Sequence, residues 1–159
     1  MDKPWSENCG PVAATERDVQ KASAINALLV RPIDVLPQKA GDPIRPLAVG
    51  IFSEIRALLK PDVGVTKLRR ATAVYVRLKR YYFASAQPDS MRHDLAGAPV
   101  EPVSAADRLQ AQRRFLEMKR TRMQADALAA VPHVAADPEP TKNELIRAAL
   151  LKRRSLAAK

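Results

Sequence analysis

The chain has a single cysteine, Cys9, so no internal disulfide can form. Its two histidines, His93 and His133, do not combine with that cysteine into a zinc-binding spacing. This thiol usage suits a reducing compartment, and the expected location is the cytoplasm. No apolar run approaches the length of a membrane span, and the first sixteen residues hold no hydrophobic segment of signal-peptide type. Aromatic residues make up only 4% of the chain, yet all three tyrosines fall within residues 68–83. Acid is scarce too: 17 Asp and Glu face 27 Lys and Arg, giving a formal charge of +10 at pH 7. Such an excess says nothing about fold. It favours polyanionic partners, nucleic acid ahead of an anionic membrane surface. Catalytic groupings are missing as well. Asp62, Asp89, Asp94 and Glu101 are scattered, no motif sets a histidine beside them, and there is no phosphate-cradling glycine loop. The expectation is a non-enzyme with no cofactor and no small-molecule substrate.

What is present is a string of helical patterns cut by proline. At 159 residues the chain suggests one domain with tails. Residues 1–14 lack periodicity and read as a mobile tail. Thr15-x-x-Asp18 has the form of a capping box, followed by Val19, Ala22, Ile25, Leu28 and Leu29 at helical spacing up to Pro32. Four prolines make residues 31–46 a set of turns. A second helix is expected over 47–59, with Gly50 inside it for a close packing contact. A third begins near Gly64–Thr66 and runs through residue 83. Residues 91–103 read as a β-hairpin turning at Ala96-Gly97. Ser104-x-x-Asp107 opens a long helix to about Ala130, whose Leu109, Leu116 and Met123 form a narrow packing seam. A linker over 131–140 leads to a short amphipathic basic helix capped by Thr141-x-x-Glu144. The expected fold is mostly α with one small hairpin: a tail (1–14), a domain (15–130), and a linker with a basic helical tail (131–159).

The segment LRRATAVYVRLKRYYF, residues 68–83, contains five cations and no acid. At about 100° per residue, Leu68, Ala71, Tyr75, Leu78 and Tyr82 share one face. That face is expected in the core, with the tyrosine hydroxyls at its rim. Arg69, Arg70, Arg77, Arg80 and Tyr81 fall on the other side, in a row roughly 16 Å long at 1.5 Å per residue. Solvated helix faces usually mix acid with base. This row is uncompensated, and arginine suits bidentate phosphate contacts and stacking on bases. Tyr81 is expected to stack on an unpaired base or to bond a phosphate or sugar hydroxyl. The start of the helix, Gly64-Val65-Thr66-Lys67, offers free amides, a hydroxyl and an ammonium to a phosphate. Ordinary helix capping explains the same residues.

Four short motifs then carry a resemblance. Arg45-Pro46-Leu47-Ala48-Val49-Gly50-Ile51-Phe52 resembles the RPLxxGIF signature of the FinO/ProQ RNA-binding domain. Leu68-Arg69-Arg70-Ala71 resembles that family's LRxA segment, and Arg80-Tyr81 its arginine–tyrosine pair. Residues 92–99, RHDLAGAP, resemble its RxDLxGxP hairpin. The four stand in the family's order across roughly residues 20–117. The resemblance implies a compact helical domain with a hairpin, found in bacterial RNA chaperones. It implies binding to the base of a terminator-like stem-loop and its single-stranded 3′ tail, on a concave face around the arginine–tyrosine pair. By position, Arg69, Arg80, Tyr81 and Arg92 match its basic and aromatic positions, with Thr66 and Lys67 near a pocket at a helix start. Ala48 replaces a common lysine, so one phosphate contact of the family is either missing or supplied by a neighbour such as Arg45. Gly64-Val65 replace a serine–lysine pair.

The resulting expectation is a monomeric RNA chaperone that binds small RNAs, mRNA 3′ ends or antisense RNA by shape and phosphate position, without a membrane. It would promote RNA pairing. Basic residues at 108–122 and 142–159 would either help by screening repulsion between two RNAs or serve only as a solubilising tail. A plasmid-type regulator of one antisense RNA is a narrower alternative, and a DNA-binding nucleoid protein is an alternative of another class.

Overall fold

In a computed structural model the described residues are 10–130, so the expected tail helix over 141–159 lies outside them. The order is α1 (Glu16–Asn26), α2 (Ile51–Ala57), α3 (Val65–Val76), α4 (Lys79–Ala86), β1 (Met91–His93), β2 (Pro99–Pro102) and α5 (Ala105–Ala130). The chain divides into two units, Met1–Thr121 and Arg122–Lys159. In the second, the last described turns of α5 carry an Arg122–Asp126 ion pair at 3.8 Å.

The capping box at the start of α1 is made: the Thr15 amide and hydroxyl both donate to the Asp18 carboxylate, at 2.9 and 2.7 Å. Ala22 and Ile25, one turn apart, turn the apolar face of α1 inward against α3. Ile25, Ile55, Leu68 and Tyr75 are all but fully buried and form the centre of the main core. Burial of each aliphatic side chain there stabilises the fold by about 1.5–3 kcal/mol. The helix ends earlier than Pro32. Asn26 Oδ1 accepts the Ile33 amide at 3.1 Å, and Lys60 donates to the Ala27 carbonyl at 2.9 Å, so side chains finish the turn.

Residues 10–14 are not a tail. Val12 and Ala14 pair with 41–44, through Ile44 N–H to the Val12 carbonyl and Ala14 N–H to the Asp42 carbonyl, both at 2.8 Å. Both side chains are buried in a second small core with Ile44 and Ala84. Helix α2 is also shorter than its pattern suggested. Leu47 and Ala48 are extended and bridge to the hairpin, with the Ala48 amide on the His93 carbonyl at 2.9 Å. Gly50 then enters α2 at φ 82°, a left-handed turn that glycine makes without steric cost. A Cβ there would touch nothing, so conformation and not close packing explains this glycine.

The third predicted helix is two helices. Arg77 and Leu78 leave helical geometry, Leu78 at ψ 142°, and α4 starts anew at Lys79. A continuous helix would set Tyr75 and Tyr81 about 120° apart. The break re-aims the second half, so that Tyr81 packs edge-on against Tyr75 with ring centroids 5.5 Å apart. Tyr81 therefore takes the core position expected of Tyr82, which is half-buried. The Tyr75 hydroxyl does not reach the rim either, since it is buried without a hydrogen-bond partner among the described residues.

The hairpin is antiparallel, as its motif suggested, with Gly97 at φ 80° in the turn. At the start of α5 half of the capping box forms: Asp107 N–H donates to Ser104 Oγ at 3.1 Å, and the Ser104 hydroxyl donates to the Asp107 carboxylate at 2.6 Å. The predicted seam is wrong. Leu109, Leu116 and Met123 are exposed. The face that packs carries Arg108, Ala111, Gln112 and Phe115. Phe115 meets Phe83 at 5.1 Å, and Gln112 donates to the Ala86 carbonyl at 3.2 Å.

Candidate nucleic-acid interface

Three strands of chain meet at Leu47. Its amide donates to the Tyr81 hydroxyl at 2.9 Å, and its carbonyl accepts from Arg92 at 3.1 Å. Tyr81 comes from α4, Arg92 from the middle of β1, and Leu47 from the segment that leads into α2. The arginine is held on its other side by Asp107 at 2.7 Å and faces Glu101 at 3.7 Å. Its side chain is only 18% exposed. The Ser104 hydroxyl, ahead of Arg92, holds the Asp107 carboxyl below the usual carboxylate range. Burial pushes the Tyr81 phenol up, against the opposing effects of the Leu47 amide and Arg92. It is a neutral hydroxyl at any physiological pH.

Beside this junction lies a groove of about 270 Å³. It is lined by Arg77, Tyr82, Arg92 and, from α5, Asp107 and Gln110. Of the residues predicted for the site, the structure brings Arg77, Tyr81 and Arg92 together here. Tyr81 contributes its ring to the wall and not an open stacking face, because it also packs against both cores.

The remaining candidates are spread out. Thr66, Lys67, Arg69, Arg70 and Arg77 are exposed along α3 and its end. Arg69 leans over the Phe52 ring at 5.9 Å. None of these cations has an acidic partner within ion-pair distance among the described residues. Arg70, in the middle of α3, and Arg77, at its C-cap, are both exposed. Arg80 does not continue their row. The break at Leu78 turns it toward the N-terminal segment, where it donates to the Ala13 carbonyl at 2.9 Å and faces Asp18 at 3.7 Å. Arg45 reaches the Asp34 carbonyl at 3.1 Å, passing the hairpin turn so closely that a Cβ on Gly97 would stand 2.8 Å from it. On α5, Arg108 is used on the Pro88 carbonyl and Arg114 pairs with Glu117.

Sequence reasoning missed the Leu47 junction, Asp107 and Gln110. Asp107 carried one signal, its place as the fourth residue of a capping box, which accounts for the Ser104 contact but not for the arginine. No three His, Cys, Asp or Glu side chains gather into a metal-binding group among the described residues, and none of their helices is long and apolar enough to cross a membrane.

Fold and surface together define a small basic helical domain, pinned by a hairpin, with an uncompensated cationic helix on its outside. The sequence profile of the ProQ/FINO family matches residues 22–128, and the chain belongs to that family. Among solved structures it is similar to a FinO-like RNA chaperone from Neisseria meningitidis MC58, at 24% identity and a TM-score of 0.48, over 72% of this chain and 86% of the other. It is also similar to a ProQ homolog from Legionella pneumophila, at 23% identity and a TM-score of 0.47, over 72% and 93% of the two chains. None of the curated proteins matches it.

Proposed function

We propose that the protein binds structured RNA and acts as an RNA chaperone in post-transcriptional regulation. Membership of the ProQ/FINO family supports this reading. The observation that carries it is the outer face of α3, where Thr66, Lys67, Arg70 and Arg77 stand exposed and the three cations lack acidic partners among the described residues. Like charges at this spacing weaken a helix slightly. A row of phosphates converts that cost into binding.

The face gives shape and charge recognition. Arg70 and Arg77 follow one strand, and Lys67, Thr66 and the first amides of α3 take the strand end, where the helix dipole favours an anion. An A-form stem presents no readable major groove, so base sequence contributes little there. The neighbouring groove, with Arg77 and Tyr82 at its edge, receives nucleotides that leave the stem. The preferred ligand is a stem-loop with a single-stranded 3′ tail, and the protein stabilises such RNAs and promotes their pairing.

Competition binding tests this reading. A labelled stem-loop with its tail should be displaced poorly by the tail-less stem and by duplex DNA. Equal competition by duplex DNA would favour a nucleoid protein instead. RNA recovered after cross-linking in cells separates a regulator of many transcripts from one devoted to a single antisense RNA.

A further inference from the structure

The groove beside the Leu47 junction is lined by charge of both signs, Arg77 and Arg92 with Asp107. Arg92 is not free to take a phosphate. Its guanidinium is engaged by the Leu47 carbonyl at 3.1 Å and the Asp107 carboxylate at 2.7 Å, and Glu101 stands 3.7 Å from it. A phosphate brought inside would also meet the Asp107 carboxylate. Arg77 differs: it is exposed, lacks an acidic partner among the described residues and can hold a phosphate at the edge.

Asp107 offers the groove an acceptor. Its Oδ2 accepts from Arg92 at 2.7 Å and from the Ser104 hydroxyl at 2.6 Å. Neither bond uses Oδ1, which has no hydrogen bond among the described residues. The side chain is 49% exposed, so a ligand in the groove can reach it. Ser104 and Arg92 hold the carboxyl below the usual carboxylate range, which leaves it ionised at neutral pH and able only to accept. Gln110, three residues further along α5 and so beside it on the helix surface, is exposed and carries an amide that can donate.

These features suit a flat, neutral ligand with adjacent N–H donors. Pro46, Val76 and Val103 supply apolar surface for its faces. Unpaired RNA bases are read through such stacking and through their Watson–Crick edges. On that edge guanine sets its ring N–H next to its amino group, with a carbonyl oxygen alongside. Adenine and cytosine set a bare ring nitrogen beside the amino group, and uracil flanks its N–H with carbonyl oxygens on both sides. Each of those turns a lone pair toward a carboxylate, and guanine does not. We propose that the groove reads one unpaired guanine of the bound RNA, its adjacent N–H donors on the Asp107 carboxylate and its carbonyl oxygen on the Gln110 amide, while Arg77 holds the neighbouring phosphate. This rests on the RNA reading above and adds a base preference at one position to a surface that otherwise recognises shape and charge.

The test uses the full chain and stem-loop RNAs that differ at a single nucleotide of the 3′ tail. Each tail position carries guanine, adenine, cytosine, uracil or hypoxanthine in turn. At one position guanine should bind about tenfold tighter than the other three standard bases, the discrimination of one bidentate base contact. Hypoxanthine keeps the ring N–H and the carbonyl but lacks the amino group, and should lose part of that gain. Asp107→Asn should abolish the preference. The ratio between RNAs is taken within one protein, so the lower fold stability expected of this variant does not enter it. Equal binding of all tails by the wild-type chain, hypoxanthine bound as tightly as guanine, or a preference that survives Asp107→Asn overturns the guanine site while leaving RNA binding intact. Failure of the wild-type chain to bind any of the stem-loops overturns the RNA reading and the guanine site with it.

Discussion

Tyr81 and Arg92 grip the same residue from opposite sides, the tyrosine hydroxyl on the Leu47 amide and the guanidinium on the Leu47 carbonyl. The two positions matched to nucleic-acid contacts by resemblance are thus also the pins that set the entry to α2. Tyr81→Phe leaves the buried Leu47 amide without a partner and should cost about 1–3 kcal/mol in chemical denaturation. A variant as stable as wild type would show that the hydroxyl does not hold this junction.

Arg92 is the more engaged of the pair, since Asp107 and Glu101 share its charge. Arg92→Ala and Asp107→Asn should each destabilise the fold, and the double variant should lose less than the sum. The expected coupling is about 0.5–3 kcal/mol, read from a double-mutant cycle. Additive losses would mean that the 2.7 Å contact contributes nothing.

Arg80 joins α4 to the segment at 13–18. Arg80→Ala should raise hydrogen exchange selectively at the amides of Ala14 and Ile44, which pair that segment with 42–44, and leave the α3 amides protected. Uniform exchange across both would place Arg80 outside this latch.

Alkaline pH should unfold the protein cooperatively. Burial raises the phenols of Tyr75 and Tyr81 above the ordinary tyrosine value. A group raised on folding lends stability that is complete below its unfolded pKa and is lost as pH climbs toward the folded one. Stability should therefore hold to about pH 10 and fall beyond it. Tyr81→Phe should flatten that alkaline limb.

Much of the fold was legible where the signal is local. Thr15 with Asp18 and Gly97 in its turn each act within a few residues and formed as expected, and Ser104 with Asp107 formed the amide-to-hydroxyl half of its box. The break at Arg77-Leu78 was not legible, because no proline or glycine marks it. It is selected by the core, which accommodates Tyr75 and Tyr81 together and cannot do so on one continuous helix. Everything downstream of that break shifted phase, so the row of cations lost Arg80 and the buried face exchanged Tyr82 for Tyr81. On α5 the seven-residue spacing of Leu109, Leu116 and Met123 looked like a seam. The face that packs is the less apolar one bearing Ala111 and Phe115, because the neighbour it meets offers Phe83 and open carbonyls at Ala86 and Pro88. The resemblance identified the family from short motifs, but positional matching could not tell an exposed arginine from one already paired.

The central claim is that the outer face of α3 meets phosphates, and the salt dependence of RNA affinity tests it most directly. With Lys67, Arg70 and Arg77 each on a phosphate, log affinity should fall against log salt with a slope of about −2, using the single-strand coefficient. Arg70→Ala with Arg77→Ala should reduce the magnitude of that slope by about 1.4 and weaken binding to all stem-loops alike, with the melting temperature unchanged. An unaltered slope in the double variant would contradict the account.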